Sequence, residues 1–288
     1  MSALPHSEPS HPSVGQDRLS RRHFDRLSKY INTYSGIQMP PSKLTMLEGR
    51  LRRRTRVTGH RTLDDYCNYL FEQGGLDEES IHLIDAVTTN KTDFFREPQH
   101  FDFLQEVALP SFLQKQKRSL KVWSAASSIG AEPYTLAMIL EEFREKTGIE
   151  YGILATDLST DVLAATLKGI YDADMVEPVP AHLASKYIMR SRDPRDQRVR
   201  MHAKLRSRIA CGRLNLMSEH YGVGNDLDIV FCRNVLIYFD KPTQSRVLHK
   251  LCATLAPGGY LCVGHSETVS GFNLPLRQIS GTILVRDK

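Results

Sequence analysis

The stretch LKVWSAASSIGAEPYTLAMIL, residues 120–140, decides the fold. Its apolar start, Leu120–Ser124, reads as a strand. The small-residue loop AASSIGA follows and leads into a helix with Pro133 in its first turn. Leu136, Ile139, Leu140 and Phe143 share one face of that helix. The same alternation continues downstream. Tyr151–Thr156 is a second strand ending at Asp157, and Ser159 then caps a helix that stops at Gly169. Leu227–Cys232 is a third strand. Asp240 and Pro242 open a helix with Val247, Leu248, Leu251 and Leu255 on one face, ended by Pro257-Gly258-Gly259. Tyr260–Gly264 and Thr282–Arg286 close the chain as strands. Strands alternating with helices predict an α/β fold whose largely parallel sheet is covered on both faces.

Working outward, the alternation breaks between about 178 and 213. There Lys186–Arg190 and Arg198–His202 read as short strands joined by the polar turn SRDPRDQ, with no helix between them. A small antiparallel β-subdomain inserted at 178–213 is expected. Upstream, residues 18–87 are helical in pattern. Phe24, Leu27 and Ile31, then Leu44, Leu47 and Leu51, then Tyr66, Tyr69 and Leu70, then Ile81, Ile84 and Val87 recur at helical spacing. Residues 1–17, rich in Ser, Pro and His, read as a disordered tail. The expected organisation is therefore tail 1–17, helical domain 18–87 and α/β domain 88–288.

Composition narrows the function classes. The 288 residues are 41% hydrophobic and 25% charged, the profile of a globular protein, and no apolar run is long enough to span a bilayer. Cys67, Cys211, Cys232, Cys252 and Cys262 are odd in number and never in a CxxC pair. That pattern predicts reduced thiols in the cytoplasm. The eleven histidines show no metal-ligand spacing, so no metal is expected. Charge is unevenly spread. Residues 43–56 hold six positive side chains against one negative, and 190–213 hold nine against two. The overall +5 thus conceals a −7 over the remaining chain. Both patches call for an acidic partner, of a class that charge alone leaves open.

In open α/β sheets, ligands bind beyond the carboxyl ends of the strands. Four such places carry polar or small residues here: the first loop with Glu132, Asp157 after the second strand, Asn215-Leu216, and Arg233-Asn234 after LDIVFC. An acid at the position of Asp157 suits a ribose diol. A single acid at a strand end is more often a helix cap, but four such places along one sheet edge make a site. The first loop is neither GxGxxG nor a P-loop, which disfavours dinucleotides and nucleoside triphosphates. A ligand with ribose and adenine but no phosphate fits better, and S-adenosylmethionine is the candidate.

The segments TTNKTDFFREPQHF (88–101), VWSAASSIGAEPYTLAM (122–138), ATDLST (155–160), FCRNVLIYFDKPTQ (231–244) and GGYLCVGHSE (258–267) together resemble the bacterial chemotaxis receptor methyltransferases. The resemblance covers about residues 18–288. It implies a class I S-adenosylmethionine-dependent methyltransferase fold, with a Rossmann-like sheet, the β-subdomain insertion and an all-α N-terminal domain. It also implies transfer of methyl from S-adenosylmethionine to receptor glutamates, leaving S-adenosylhomocysteine. Carried over residue by residue, the cofactor contacts are Asn90, Thr92, Arg96, Glu132, Asp157, Asn215, Leu216, Arg233 and Asn234, with Arg96 and Tyr238 near the transferred methyl. The family's loop often reads GEEP where this chain has GAEP, which leaves Glu132 as the one acid there.

The absence of a base constellation is consistent with this chemistry. A glutamate, with a pKa of about 4.3, is already an ionised nucleophile at neutral pH. The Asn/Asp-Pro-Pro-Tyr/Phe motif of amino-methylating nucleic-acid enzymes is absent, since the chain reads RNVLIY after the third strand. The family resemblance further implies that a basic N-terminal helix docks the cytoplasmic domain of chemoreceptors, through Arg50, Arg53, Arg54 and Arg56. Some members also add a receptor's C-terminal tail peptide to the β-subdomain. The turn SRDPRDQ lacks the glycines expected for that, so a plain charged hairpin stands beside the tail-binding reading. Nothing calls for more than a monomer. A nucleic-acid methyltransferase and a non-catalytic S-adenosylmethionine sensor remain as alternatives.

Overall fold

A computed structural model describes residues 17–287. The expected tail therefore lies outside the described residues, apart from Asp17. That residue belongs with the helices: its carboxylate accepts the Leu63 N–H at 3.1 and 3.2 Å, and its carbonyl accepts Arg52 Nη2 at 2.8 Å. The chain divides into two compact units, one holding residues up to 33 with 39–87, the other 34–38 with 88 onward.

The first unit is built from α1 (Arg21–Ser35, whose last two residues belong to the second unit), α2 (Leu44–Thr58), α3 (Leu63–Glu72) and α4 (Leu76–Val87). Phe24, Leu27, Ile31, Leu47, Leu51, Tyr66, Leu70, Ile84 and Val87 are buried, so the helical spacing places the core. Ile81 is an exception. It is exposed, and Leu83 fills the core instead. Thr62 caps α3 by accepting the Asp65 N–H at 3.0 Å, and α2 ends at left-handed Gly59.

The second unit begins with α5 (Gln99–Phe103) and α6 (Leu109–Gln114), joined by a π-helical turn, Leu104–Ala108, ahead of Pro110, which has no N–H for the helix ladder. There follow β1 (Ser119–Ala125), α7 (Ala131–Thr147), β2 (Glu150–Asp157), α8 (Thr160–Lys168), β3 (Ile170–Asp172), α9 (Ala181–Tyr187), β4 (Ile188–Arg190), β5 (Arg198–Met201), α10 (Ala203–Arg206) and β6 (Ile209–Arg213). Then come β7 (Leu227–Cys232), α11 (Lys241–Thr254), β8 (Leu255–Val263), β9 (Arg277–Ser280) and β10 (Ile283–Val285).

Seven strands form one sheet in the order β6-β2-β1-β7-β8-β10-β9. The first five run parallel, and β10 pairs antiparallel with both β8 and β9. Strand alternation divides the core in two. Val122, Ile153, Ile229, Phe231 and Cys262 face a layer that includes α5, α6 and α7. Trp123, Val230, Cys232, Leu261 and Leu284 face a layer with α11. Chain order reverses between β1 and β7, which makes their carboxyl ends the switch point of the sheet.

Three sequence boundaries are corrected. The antiparallel sheet has the order β3-β5-β4, so it starts at Ile170 rather than at 178. Ile209–Arg213 leaves it altogether and pairs parallel with β2 as the edge of the main sheet. Pro257-Gly258-Gly259 lies within β8, because α11 already ends at Thr254. Among the described residues, no helix is long and apolar enough to cross a membrane.

Candidate functional site

The site is assembled from the loop after β1, the ends of β2 and β7, and the segment 88–100. In the first loop Ala126, Ser128 and Gly130 take left-handed φ of 55°, 52° and 95°. A Cβ on Gly130 would stand 2.8 Å from Thr166 and Tyr171, so only glycine allows this turn into α7. Phe95, Glu97 and Asn234 are left-handed as well. Five of the eight non-glycine residues so strained, among the described residues, lie on these segments. Strain of about 1–3 kcal/mol per residue persists only where the surrounding structure fixes the backbone, and such residues cluster at functional sites.

Arg233 is the hub. Its Nη1 donates to Glu132 Oε2 at 3.1 Å, and its Nη2 to Glu97 Oε2 at 3.1 Å and to the Arg96 carbonyl. The guanidinium is buried over the Phe101 and Phe231 rings, at 5.4 and 5.8 Å from their centroids. Glu132 also accepts the Ser124 hydroxyl at 2.7 Å, and burial pushes its carboxyl above the usual range despite Arg233. Glu97 behaves oppositely. Burial pushes it up, but the hydrogen bond from Asn234 and the Arg233 charge outweigh that and hold it low.

Asp157 is held from both sides, accepting the Ser128 N–H and the Ser159 N–H at 2.9 Å each. Ser159 stands at the α8 N-cap position, but no side-chain cap bond forms, contrary to the expected role. Its hydroxyl and that of Ser127 are buried with no partner, as is Arg233 Nε. Orphaned buried hydroxyls beside Asp157, with small side chains around them, offer hydrogen bonds to a polar ligand.

Other expected residues are placed as follows. The Asn90 carbonyl accepts the Ser128 hydroxyl at 2.7 Å, which ties segment 88–100 to the first loop. Thr92 and Arg96 are half-buried, and Arg96 Nη1 reaches the Lys91 carbonyl at 3.2 Å. Leu216 is buried in the α11-side core. Asn215 spends its side chain on backbone, donating to the Tyr34 carbonyl at 2.6 Å and accepting the Met217 N–H at 2.9 Å. Tyr238 is half-buried, and its carbonyl accepts the Gln38 N–H.

Three residues were missed as individual site members. Besides Glu97, Glu267 gathers four backbone N–H groups, from Gly264, Asn234, Val235 and Leu236, at 2.5–2.9 Å. Burial nonetheless pushes its carboxyl up. His100 is buried beside Glu97, and burial together with the Arg233 charge drives its pKa down to about 4. All three stand in segments that carry the family resemblance, and an acid just before a proline (Glu97) or after GHS (Glu267) was the available signal.

The arginines of the first basic patch differ in their surroundings. Arg54 forms a two-point pair with Glu79 at 3.0 and 2.6 Å, and the Tyr66 hydroxyl donates to the same carboxylate. This ion pair lies within the helical unit and engages the Arg54 side chain there. Arg50 is half-buried and donates to the Val87 carbonyl at 2.5 Å. Arg53 and Arg56 are exposed. In the second patch, Arg195, Arg198, Lys204 and Arg208 pair with Asp193, Asp196, Glu145 and Glu150.

Against known proteins, residues 90–285 match the family model described as "CheR methyltransferase, SAM binding domain", and residues 22–88 the one described as "CheR methyltransferase, all-alpha domain". The Chemotaxis protein methyltransferase of Borreliella burgdorferi is 36% identical over 88% of this chain and 90% of its own. Chemotaxis protein methyltransferase 2 of Pseudomonas aeruginosa is 33% identical over 97% and 99%. The Chemotaxis protein methyltransferase of Escherichia coli is 36% identical over 88% and 86%.

Proposed function

Because this chain belongs to the CheR methyltransferase family, we propose that it esterifies glutamate side chains on the cytoplasmic helices of bacterial chemoreceptors. The products are glutamate γ-methyl esters and S-adenosylhomocysteine. The observation that carries the reading is the Glu97–Arg233–Glu132 chain beside Asp157 at the carboxyl ends of β1, β2 and β7.

S-adenosylmethionine, when bound, supplies an electrophilic methyl group on a positively charged sulfur. Asp157, already oriented by two backbone N–H groups, takes the ribose hydroxyls, and Leu216 with the Asn215 backbone takes the adenine side. Glu132, Arg233, Asn90, Thr92 and Arg96 hold the amino-acid end. Asn234 and Tyr238 wall the side from which the acceptor enters, and Arg96 orients the incoming carboxylate. That carboxylate is ionised at neutral pH, so the protein need not remove a proton. What the residues contribute is alignment and exclusion of water, worth up to about 7–11 kcal/mol in favourable cases.

Receptor docking falls to Arg53 and Arg56, exposed on α2, with Arg50 beside them. Such an array suits an acid-rich receptor helix. In the turn after β4, Arg195 pairs with Asp193 and Arg198 with Asp196, as in a charged hairpin, and a receptor tail remains the other reading of this subdomain. The receptor helices concerned are cytoplasmic, and five free cysteines accord with that compartment. The test offers labelled S-adenosylmethionine to the protein with a receptor cytoplasmic fragment and duplex DNA or RNA together. Label is expected in the receptor; label in nucleic acid, or in neither, overturns the reading.

A further inference from the structure

Glu97, His100 and His265 bring three donor atoms within 4.8 Å of one another. His100 is 1% exposed, and its Nδ1 has no hydrogen-bond partner. That atom stands 3.6 Å from Glu97 Oε2. On the far side of the ring, His100 Nε2 lies 2.7 Å from Thr282 Oγ1. With Nε2–H donating to that hydroxyl, Nδ1 presents its lone pair toward the carboxylate. Ligating histidines are oriented in the same way, by an outer hydrogen bond on the second ring nitrogen. The exposed His265 ring lies 5.3 Å from the His100 ring, centroid to centroid, and its backbone N–H is anchored to Glu97 Oε2 at 3.1 Å.

We propose that Glu97, His100 and His265 form a binding site for a divalent late transition-metal ion, zinc above all, and that its occupation is coupled to the cofactor site through Glu97. Zinc bonds to nitrogen and oxygen at about 2.0–2.2 Å, so donors in a tetrahedral shell stand about 3.3 Å apart. The His100–Glu97 pair is already close to that spacing, and His265 presents a third donor within 4.8 Å of both. Two imidazoles and one carboxylate suit zinc and its neighbours, whereas calcium and magnesium demand oxygen donors. The fourth position opens on the side of the exposed histidine. An ion here draws on the carboxylate that pairs with Arg233, so it loosens the Arg233–Glu97 contact and weakens cofactor binding. This coupling rests on the cofactor assignment above; the metal site itself does not. Sequence spacing hides the cluster, because His265 arrives late in the chain, just after β8, whereas Glu97 and His100 precede β1.

The full-length protein, stripped with chelator, is titrated with Zn2+ by calorimetry and with Co2+ by visible absorption. One equivalent of Zn2+ is expected, with the intense d–d bands of four-coordinate Co2+. His265→Ala, a change at an exposed side chain, is expected to weaken binding by about tenfold or more. S-adenosylmethionine affinity is expected to fall in the Zn2+-loaded wild type. Absence of saturable Zn2+ binding, weak six-coordinate Co2+ bands, or unchanged affinity in His265→Ala overturns the site. Zn2+ binding that leaves cofactor affinity unchanged overturns the coupling. Failure to bind the cofactor even without metal would instead count against the cofactor assignment, and the zinc isotherm is read independently of it.

Discussion

Arg233 Nη1 at the end of β7 meets Glu132 Oε2 at the start of α7 at 3.1 Å, a buried ion pair closed across 101 residues of sequence. The same guanidinium takes Glu97 with its other nitrogen, so one cation serves two acids and ties three chain segments together. Arg233→Met would leave both carboxylates buried without their counter-charge. Loss of about 3–5 kcal/mol is expected, read by urea unfolding, together with loss of cofactor binding. Full stability in this variant contradicts the hub role.

Glu267 accepts four backbone N–H groups and joins the turn at Gly264 to the loop that carries Asn234 and Tyr238. A Cβ at Gly264 would stand 2.8 Å from the Asn234 backbone nitrogen, so the two loops touch closely. Glu267→Gln replaces one acceptor oxygen by an N–H2 group facing other donors. Each N–H left unpaired costs about 1–3 kcal/mol, so a clear drop in melting temperature is expected. A melting temperature equal to wild type excludes this clamp.

On α2 the arginines divide by environment. Arg53→Ala with Arg56→Ala is expected to depress receptor methylation sharply while leaving stability and cofactor affinity unchanged. Arg54→Ala is expected to behave oppositely, because it leaves buried Glu79 with the Tyr66 hydroxyl but no counter-charge, and costs about 3–5 kcal/mol of stability. Denaturation curves and methylation rates on the three proteins decide between these outcomes.

Glu141 predicts a pH dependence. Burial pushes its carboxyl up, but Arg144 at 2.8 Å and Lys204 at 2.9 Å outweigh this and bring it down to about 2. A carboxylate depressed in the folded state adds stability above its unfolded pKa of about 4.5. That contribution is lost as pH falls from about 4.5 to 2. Thermal melts over this range are expected to fall more steeply for wild type than for Glu141→Gln. Parallel profiles would falsify the assignment.

The β1–loop–α7 unit was legible because its signals are local: an apolar strand, small residues, Pro133, an apolar helix face. Glu132, Asp157 and Arg233 followed because strand ends in such sheets are where ligands sit. What escaped depends on distant partners. Ile209–Arg213 is a short edge strand whose identity comes from pairing with β2. Arg54 looked like its neighbours on the helix face until Glu79, 25 residues on, claimed it. Glu97 and Glu267 do their work on groups 136 and 33 residues away, beyond any periodicity in their own segments.

The proposed methyl acceptor is a carboxylate. After incubation of the protein with labelled S-adenosylmethionine and receptor cytoplasmic fragments, the modified receptor is treated with mild alkali and volatile label is counted. A glutamate methyl ester releases its label as methanol, which is the predicted result. Label that stays on the receptor through alkali belongs to a nitrogen or another stable acceptor, and contradicts the account.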